Sequence, residues 1–247
     1  MKTIEQHRQF LRNDAWGQWE SIERDQKKGV PPPSLQQPYS PTAPLIDLVT
    51  PEAMRGITMK LVDAIGRRRS RREFTDEPLT LEELSLLLWA TQGIHAVVDE
   101  AVSYRSVPSA GARHPFETYL FVHRVAKLQP GLYRYLALNH KLCFMSTFNE
   151  LARRAANDDW LQPEDAVLFA WTAVPYRTEW RYGILSHKMI AIEAGHICQN
   201  LYLASEAIGA GTCAIGAFPQ DEIDRLLDVD GHEEFAIYLA RVGKLRY

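Results

Sequence analysis

The sequence predicts an α+β protein, and three observations carry that prediction. A capped helix is written at LTLEELSLLLWATQG (79–93). Runs of strand formers cluster at 117–123, 131–135 and 166–174, and a long helical repeat fills 186–208. The chain has 247 residues, enough to bury roughly 70–75% of its unfolded surface as one unit. Length alone allows one or two domains. Hydrophobic residues make up 46% and charged residues 24%, as in soluble globular proteins.

Taken in order, residues 1–28 are polar with a sparse apolar stripe (Ile4, Phe10, Leu11, Trp16, Trp19, Ile22), as expected of an amphipathic arm. From Pro31 to Pro51 come seven prolines, including three in a row. Proline fixes φ and removes a donor, so this stretch reads as an extended connector. Residues 1–51 are therefore expected to form an arm with a Pro-rich connector, packing on a main domain at 52–247. Residues 52–66 read as a helix ending at Gly66. In the next helix Thr80 and Glu83 form a capping box, Leu84, Leu87 and Leu88 line the inner face, and Gly93 closes it.

ETYLFVH (117–123) and the alternating GLYRY (131–135) predict neighbouring strands, and the wholly apolar AVLFAWTAV (166–174) a buried one. Asp158–Asp159 reads as a solvated helix end. In the long helix Ile190, Ala194, Ile197, Leu201, Ala204 and Ile208 recur at helical spacing, while Ile192, Cys198 and Leu203 lie off that stripe. A helix apolar on more than one face is expected inside a domain or a subunit interface. Gly209 ends it, and His196 on it reads as an interior residue. A strand at 213–218, a helix at 219–228 and a strand at 235–243 complete the chain.

Several function classes are excluded or disfavoured. With 28 basic against 31 acidic residues the net charge is −3, which argues against a nucleic-acid coat. Three widely spaced cysteines fit reduced thiols better than disulfides. No apolar run is long enough to cross a bilayer, and the start lacks the apolar core of a secretory signal, so a cytoplasmic address is expected. No metal is expected, because no histidine or cysteine pair stands at ligand spacing. GAGTCA (209–214) matches a dinucleotide fingerprint only in letters: a helix precedes it and a strand-like run follows, the reverse of what that motif needs.

Two stretches bear chemistry. RRRSRREF (67–74) places five arginines around Ser70, with Phe74 as an anchor. Arginine offers a planar fork of donors to phosphate and serine a short hydroxyl, but the spacing fits a solvated charge run equally well. VPSAGARHPFE (107–117) has small residues that let backbone approach a flat ligand, stiffened by Pro108 and Pro115. Taken alone it reads better as an ordinary Pro/Gly turn before a strand.

In sequence order, RRSRREF, LTLEELSLLLWATQGI, PSAGARHPFETYLFVHRV, PGLYRY, EAGHICQNLYLASEAIGAGTCAIGAF and the VGK ending resemble the FMN-dependent nitroreductase superfamily, in its SagB-type dehydrogenase branch. The resemblance spans about residues 60–247. It implies a nitroreductase-like sandwich, a mixed sheet flanked by helices, built as an intertwined homodimer with FMN between the subunits. It further implies that Arg68, Arg69, Ser70 and Arg72 grip the FMN phosphate and ribityl chain, with Arg72 also stabilising the anionic reduced flavin. Pro108, Ser109, Ala110 and Gly111, with Arg113 beside them, match the loop that covers the ring from the partner subunit. Ala112 stands where classical nitroreductases often keep an Asn. Ile215 and Gly216 match the backbone segment near flavin N5, and Lys244 and Arg246 the C-terminal basic pair closing on the phosphate.

The activity so implied is ping-pong hydride transfer from NAD(P)H to a small-molecule acceptor such as a nitro compound or quinone. The alternative is a SagB-like dehydrogenase oxidising a peptide-derived or other organic substrate. Azoline-forming members carry a Lys-Tyr pair, and Arg181–Tyr182 stands in its place. Arginine stays protonated up to about pH 12 and cannot act as the base, whereas Tyr182 can still donate a proton. Both residues read equally as pocket walls. Neither nucleic acid nor membrane is expected as a partner.

Overall fold

The structure is a computed structural model, and it describes residues 3–12, 14–55, 57–149 and 165–246. The expectation for Asp158–Asp159 lies outside them. Nine strands are described: β1 (Leu45–Asp47), β2 (Ile94–Val97), β3 (Ser103–Arg105), β4 (Phe116–Val122), β5 (Gly131–Leu136), β6 (Lys141–Thr147), β7 (Val167–Ala173), β8 (Ala210–Ile215) and β9 (Phe235–Lys244). The α-helices whose full extent lies in the described residues are α1 (Ile4–Arg12), α2 (Leu61–Arg67), α3 (Leu81–Gln92), α4 (Tyr176–Tyr182), α5 (Ser186–Ala207) and α6 (Gln220–Leu227).

Seven strands form one sheet in the order β1-β6-β5-β4-β7-β9-β8, and β2 pairs with β3 in a separate ribbon. Every pairing between these strands is antiparallel. The mixed character expected of the sheet is confined to two isolated parallel bridges, Ser70 with Thr212 and Leu79 with Val125. β4 and β7 are buried along their whole length because both faces of the sheet are covered. On one face Phe116, Leu120, Phe169 and Trp171 pack with Leu84, Leu87 and Leu88 of α3 and Ile190, Ile197 and Leu201 of α5. On the other, Tyr119, Phe121, Leu168 and Ala170 meet Ile223, Leu226 and Leu227 of α6.

The local signals act as expected in α3, where Thr80 Oγ1 accepts from Glu83 N–H and Glu83 Oε2 accepts from Thr80 N–H. Gly209 takes φ +68°, a left-handed turn that costs glycine little, and ends the helical run begun by α5. The helix expected over 52–66 is shorter. Pro51–Ala53 make one 3-10 turn, Met54 is extended, and only Leu61–Arg67 is helical. The β-branched Ile57 and Thr58 are poor helix formers, and none of the described residues between Ala53 and Leu61 is helical. α2 buries only Ala64 and exposes Leu61, Val62 and Ile65. His196 is also corrected: it stands on the exposed side of α5 together with Ala191, Ile192, Gly195 and Gln199.

The arm is divided between exposed and packed parts. α1 buries none of its residues, so its apolar stripe faces outward. The Pro-rich connector lies on the sheet end as a strap held by its carbonyls. Trp180 Nε1 donates to Val30 O (2.8 Å), Arg177 Nε to Ser34 O (2.8 Å), Arg105 Nη2 to Leu35 O (3.0 Å) and Arg134 Nη2 to Pro38 O (2.8 Å). A proline-rich segment has few N–H groups to satisfy, so buried arginines can hold it largely by its acceptors, with Gln37 N–H donating to Glu117 Oε1 (2.8 Å).

Candidate functional site

The arginine segment leaves α2 and is tied to the end strand of the sheet. Ser70 bridges Thr212, Arg71 N–H donates to Thr212 O (2.9 Å), and Thr75 N–H donates to Lys244 O (2.9 Å). Phe74 seats the segment as an anchor: its ring lies so close to Gly243 that a Cβ there would stand 2.5 Å from Phe74 Cγ. The result is an open cleft of about 730 Å³ lined by Ser70, Arg71, Arg72, Glu73, Phe74, Thr75, Leu245 and Arg246.

Within the cleft the expected residues separate. Ser70, Arg72 and Arg246 are brought together, and among the described residues neither Arg72 nor Arg246 has an ion pair or side-chain hydrogen bond. Arg68 lies 5.2 Å over the Tyr202 ring and is not among the residues that line the cleft. Arg69 folds back onto the carbonyls of Gly66 (3.2 Å) and Arg68 (2.7 Å). Lys244 is not brought in: its ammonium binds the Glu83 carboxylate and Ile208 O (3.1 Å) at the C-terminal end of α5. Ile215 ends β8, paired with Leu239, and Gly216 is exposed with open space where a side chain would be.

The second stretch forms a strained loop. Ala110–Ala112 make a 3-10 turn in which Gly111 has φ +61° and Ala112 φ +53°, and His114 follows at φ +44°. Left-handed backbone at two non-glycine residues is stored strain, held here by tertiary contacts. Ser109 Oγ accepts from His114 N–H (2.9 Å), and the His114 ring lies 3.3 Å from the buried Glu193 carboxylate. Arg113 is fully buried. It donates through Nε to Arg177 O (2.6 Å) and through Nη1 to Ala101 O, and lies 4.8 Å over the Trp180 ring. Burial, with Arg181 and Arg177 nearby, lowers its pKa to about 10. Its side chain thus holds the loop to α4 and is not offered to a ligand.

The loop touches Arg181 and Tyr182. A Cβ on Gly111 would come within 2.7 Å of the Tyr182 hydroxyl oxygen and 2.9 Å of Arg181 Nε. Over Tyr182 lie Trp19 at 5.7 Å and Trp16 at 6.3 Å between ring centroids, so the arm roofs the expected catalytic pair. Sequence reasoning missed this roof, because two aromatic residues in a polar arm carry no signal of where they dock. It also missed Arg71 as a cleft residue and Tyr202 as the contact of both Arg68 and Ser70.

Helix α5 separates the two stretches. Glu193 and Asn200, which contact His114 and Ser106, share one flank of α5, being seven residues apart. Tyr202 and Glu206, which contact Ser70 and Arg71, share another. At about 100° per residue the two flanks are about 200° apart around the axis. The arginine cleft and the Pro108–Gly111 loop of one chain therefore stand on opposite flanks of α5, with the exposed face of Ile192, Gly195, His196 and Gln199 between them.

Known proteins share this fold and sequence pattern. A profile described as the Nitroreductase family matches residues 65–244. A protein of Methanocaldococcus jannaschii carrying a nitroreductase name is 36% identical over 190 residues, covering 75% of this chain and 91% of its own. The trifolitoxin-processing protein TfxB of Rhizobium leguminosarum bv. trifolii is 26% identical over 140 residues, 54% of this chain and 38% of its own. Among solved structures, a nitroreductase-named protein of Ralstonia eutropha JMP134 superposes with TM-score 0.64 at 23% identity, over 88% of this chain and 95% of its own. A chain of the Escherichia coli microcin synthetase McbBCD complex does so with TM-score 0.60 at 18% identity, over 81% and 78%.

Proposed function

We propose, from the premise that this chain belongs to the nitroreductase family, that it is an FMN-dependent oxidoreductase moving hydride from NAD(P)H to an electron-poor acceptor, a nitro compound or a quinone. The observation that carries this reading is the convergence of Ser70, Arg72 and Arg246 on one open cleft, with both guanidinia uncommitted among the described residues. A phosphate monoester carries close to two negative charges at neutral pH, and two arginine forks with a hydroxyl are a matched set of donors. FMN, when bound, supplies the hydride-accepting centre. The chain's residues hold and tune it: Arg72 and Arg246 neutralise the phosphate end, Ser70 donates to it, and the Ile215–Gly216 backbone offers an approach unobstructed by a side chain. Donor and acceptor would use the same face in turn, which is ping-pong kinetics.

A homodimer is part of the same proposal. The cleft and the Pro108–Gly111 loop lie on opposite flanks of α5, so a second copy packed on the exposed face between them would bring its loop beside the cleft. That face is apolar or small at Ala191, Ile192 and Gly195, and the exposed Leu61, Val62 and Ile65 of α2 add to the surface that a partner would cover. In this assembly residues 1–51 act as a strap and roof on the domain at 52–247.

The absorbance spectrum of purified full-length protein tests the reading. Bands of oxidised flavin, released as FMN on denaturation and bleached anaerobically by NADH or NADPH, are expected. A colourless protein that takes up no FMN on reconstitution would sink it.

A second reading has its own support, the likeness to a toxin-processing protein and the Tyr182 hydroxyl placed at the Gly111 loop. Here the site would oxidise a peptide-derived substrate, with Tyr182 as proton donor and Arg181 a fixed charge. Tyr182→Phe should then lower turnover at least tenfold on the order expected for general acid catalysis. Unchanged turnover on every substrate would assign Tyr182 to the pocket wall.

A further inference from the structure

We propose that Tyr202 is a positioning residue that sets the Ser70 hydroxyl as a hydrogen-bond donor into the arginine cleft. The inference rests on the phosphate reading of that cleft and names a device within it. The Tyr202 hydroxyl oxygen lies 2.9 Å from Ala214 N and 3.1 Å from Ser70 Oγ. A backbone N–H only donates, so the phenol oxygen accepts from Ala214. Its one proton is then left for Ser70 Oγ, the acceptor in reach among the described residues.

The consequence falls on Ser70. With Tyr202 donating to a lone pair of Oγ, the serine's own proton is free to turn toward the cleft. The opposite arrangement would leave the phenol proton without an acceptor on a nine-tenths buried side chain and turn a serine lone pair toward the incoming anion. Both effects cost free energy, so the donor orientation wins. The Arg68 guanidinium, 5.2 Å over the Tyr202 ring, draws charge from the phenol and makes it a stronger donor. Ser70 is held in place meanwhile by its bridge to Thr212. Through Ala214 the same phenol also braces the residue preceding Ile215 and Gly216. One hydroxyl thus ties the anion end of the site to the strand end expected near the reacting ring.

The test compares FMN with riboflavin, which lacks the phosphate, by flavin-fluorescence titration of the full-length apoprotein. Wild type should bind FMN more tightly. Tyr202→Phe should lower that preference roughly tenfold, about one hydrogen bond to a charged group, with riboflavin affinity unchanged. Ser70→Ala should lose a similar amount, and the double variant no more than Ser70→Ala alone, because both act through one proton. Equal weakening of both ligands, an unchanged preference, or additive losses would overturn the role of Tyr202. No FMN preference in wild type would instead overturn the phosphate reading beneath it. Should the phenylalanine variant not fold, 3-fluorotyrosine at 202, a stronger donor, should raise the FMN preference; no rise would overturn the inference.

Discussion

Four arginines of the 67–72 run are assigned by where their guanidinia end up, which spacing along the chain does not specify. Arg72 opens into the cleft, Arg69 bonds backward to carbonyls, Arg68 lies over a ring, and Arg71 points toward Glu206 at 3.8 Å. A partly buried histidine, His140, shows how local contacts set a pH response. His140 Nε2 donates to Val49 O (2.9 Å), so Nδ1 carries no proton and accepts from the Tyr135 hydroxyl (2.8 Å). Burial holds its pKa below the usual 6.5. The unfolded chain therefore binds the proton first, and stability that is full above pH 6.5 is lost as pH falls toward the folded value. Urea midpoints measured from pH 7.5 to about 5 should decline, and His140→Gln should flatten part of that decline. A parallel decline in the variant would refute the assignment. His114, lowered by burial beside Glu193, supplies a further part.

At the scale of elements, local signals and tertiary contacts divided the work. The Thr80–Glu83 capping box, the apolar run of β7 and the Gly209 stop are properties of a few adjacent residues, and they appear where the sequence placed them. β1, β2, β3, β6 and α4 were not legible. β1 is three residues long at a sheet edge, and α4 carries polar, aromatic and charged residues with no clean period. Both of these depend on partners distant in sequence, β1 on β6 and α4 on the strap and the loop. The docking of the arginine segment is of this second kind and turns on Gly243. Gly243→Ala would drive a methyl group into Phe74, and overpacking of this sort costs about 1–3 kcal/mol. A lower denaturation midpoint with weakened FMN binding is expected. Unchanged values for both would show that the segment is not seated by this contact.

For the whole molecule, the question is how the two expected halves of the site meet. One chain holds them on opposite flanks of α5, so assembly rather than folding should complete the site. Gly195 lies on the exposed face between them, with open space around it. Gly195→Arg should leave the monomer folded, because exposed substitutions away from packed features cost little. It should shift the size-exclusion mass from about twice 28.2 kDa to about 28.2 kDa and abolish FMN uptake together. A flavin-loaded monomer would contradict assembly at this face. By itself the sequence determined the helix caps, the buried strands, the family and the basic-serine segment, because these rest on the order and period of neighbouring residues. Only the tertiary structure decided that Lys244 pairs with Glu83, that Arg113 is buried as a brace, that two tryptophans roof Tyr182 and that the Tyr202 hydroxyl meets Ser70 Oγ. Each of those facts is a contact between residues far apart in the chain, and such contacts exist only once the sheet and α5 have brought them together.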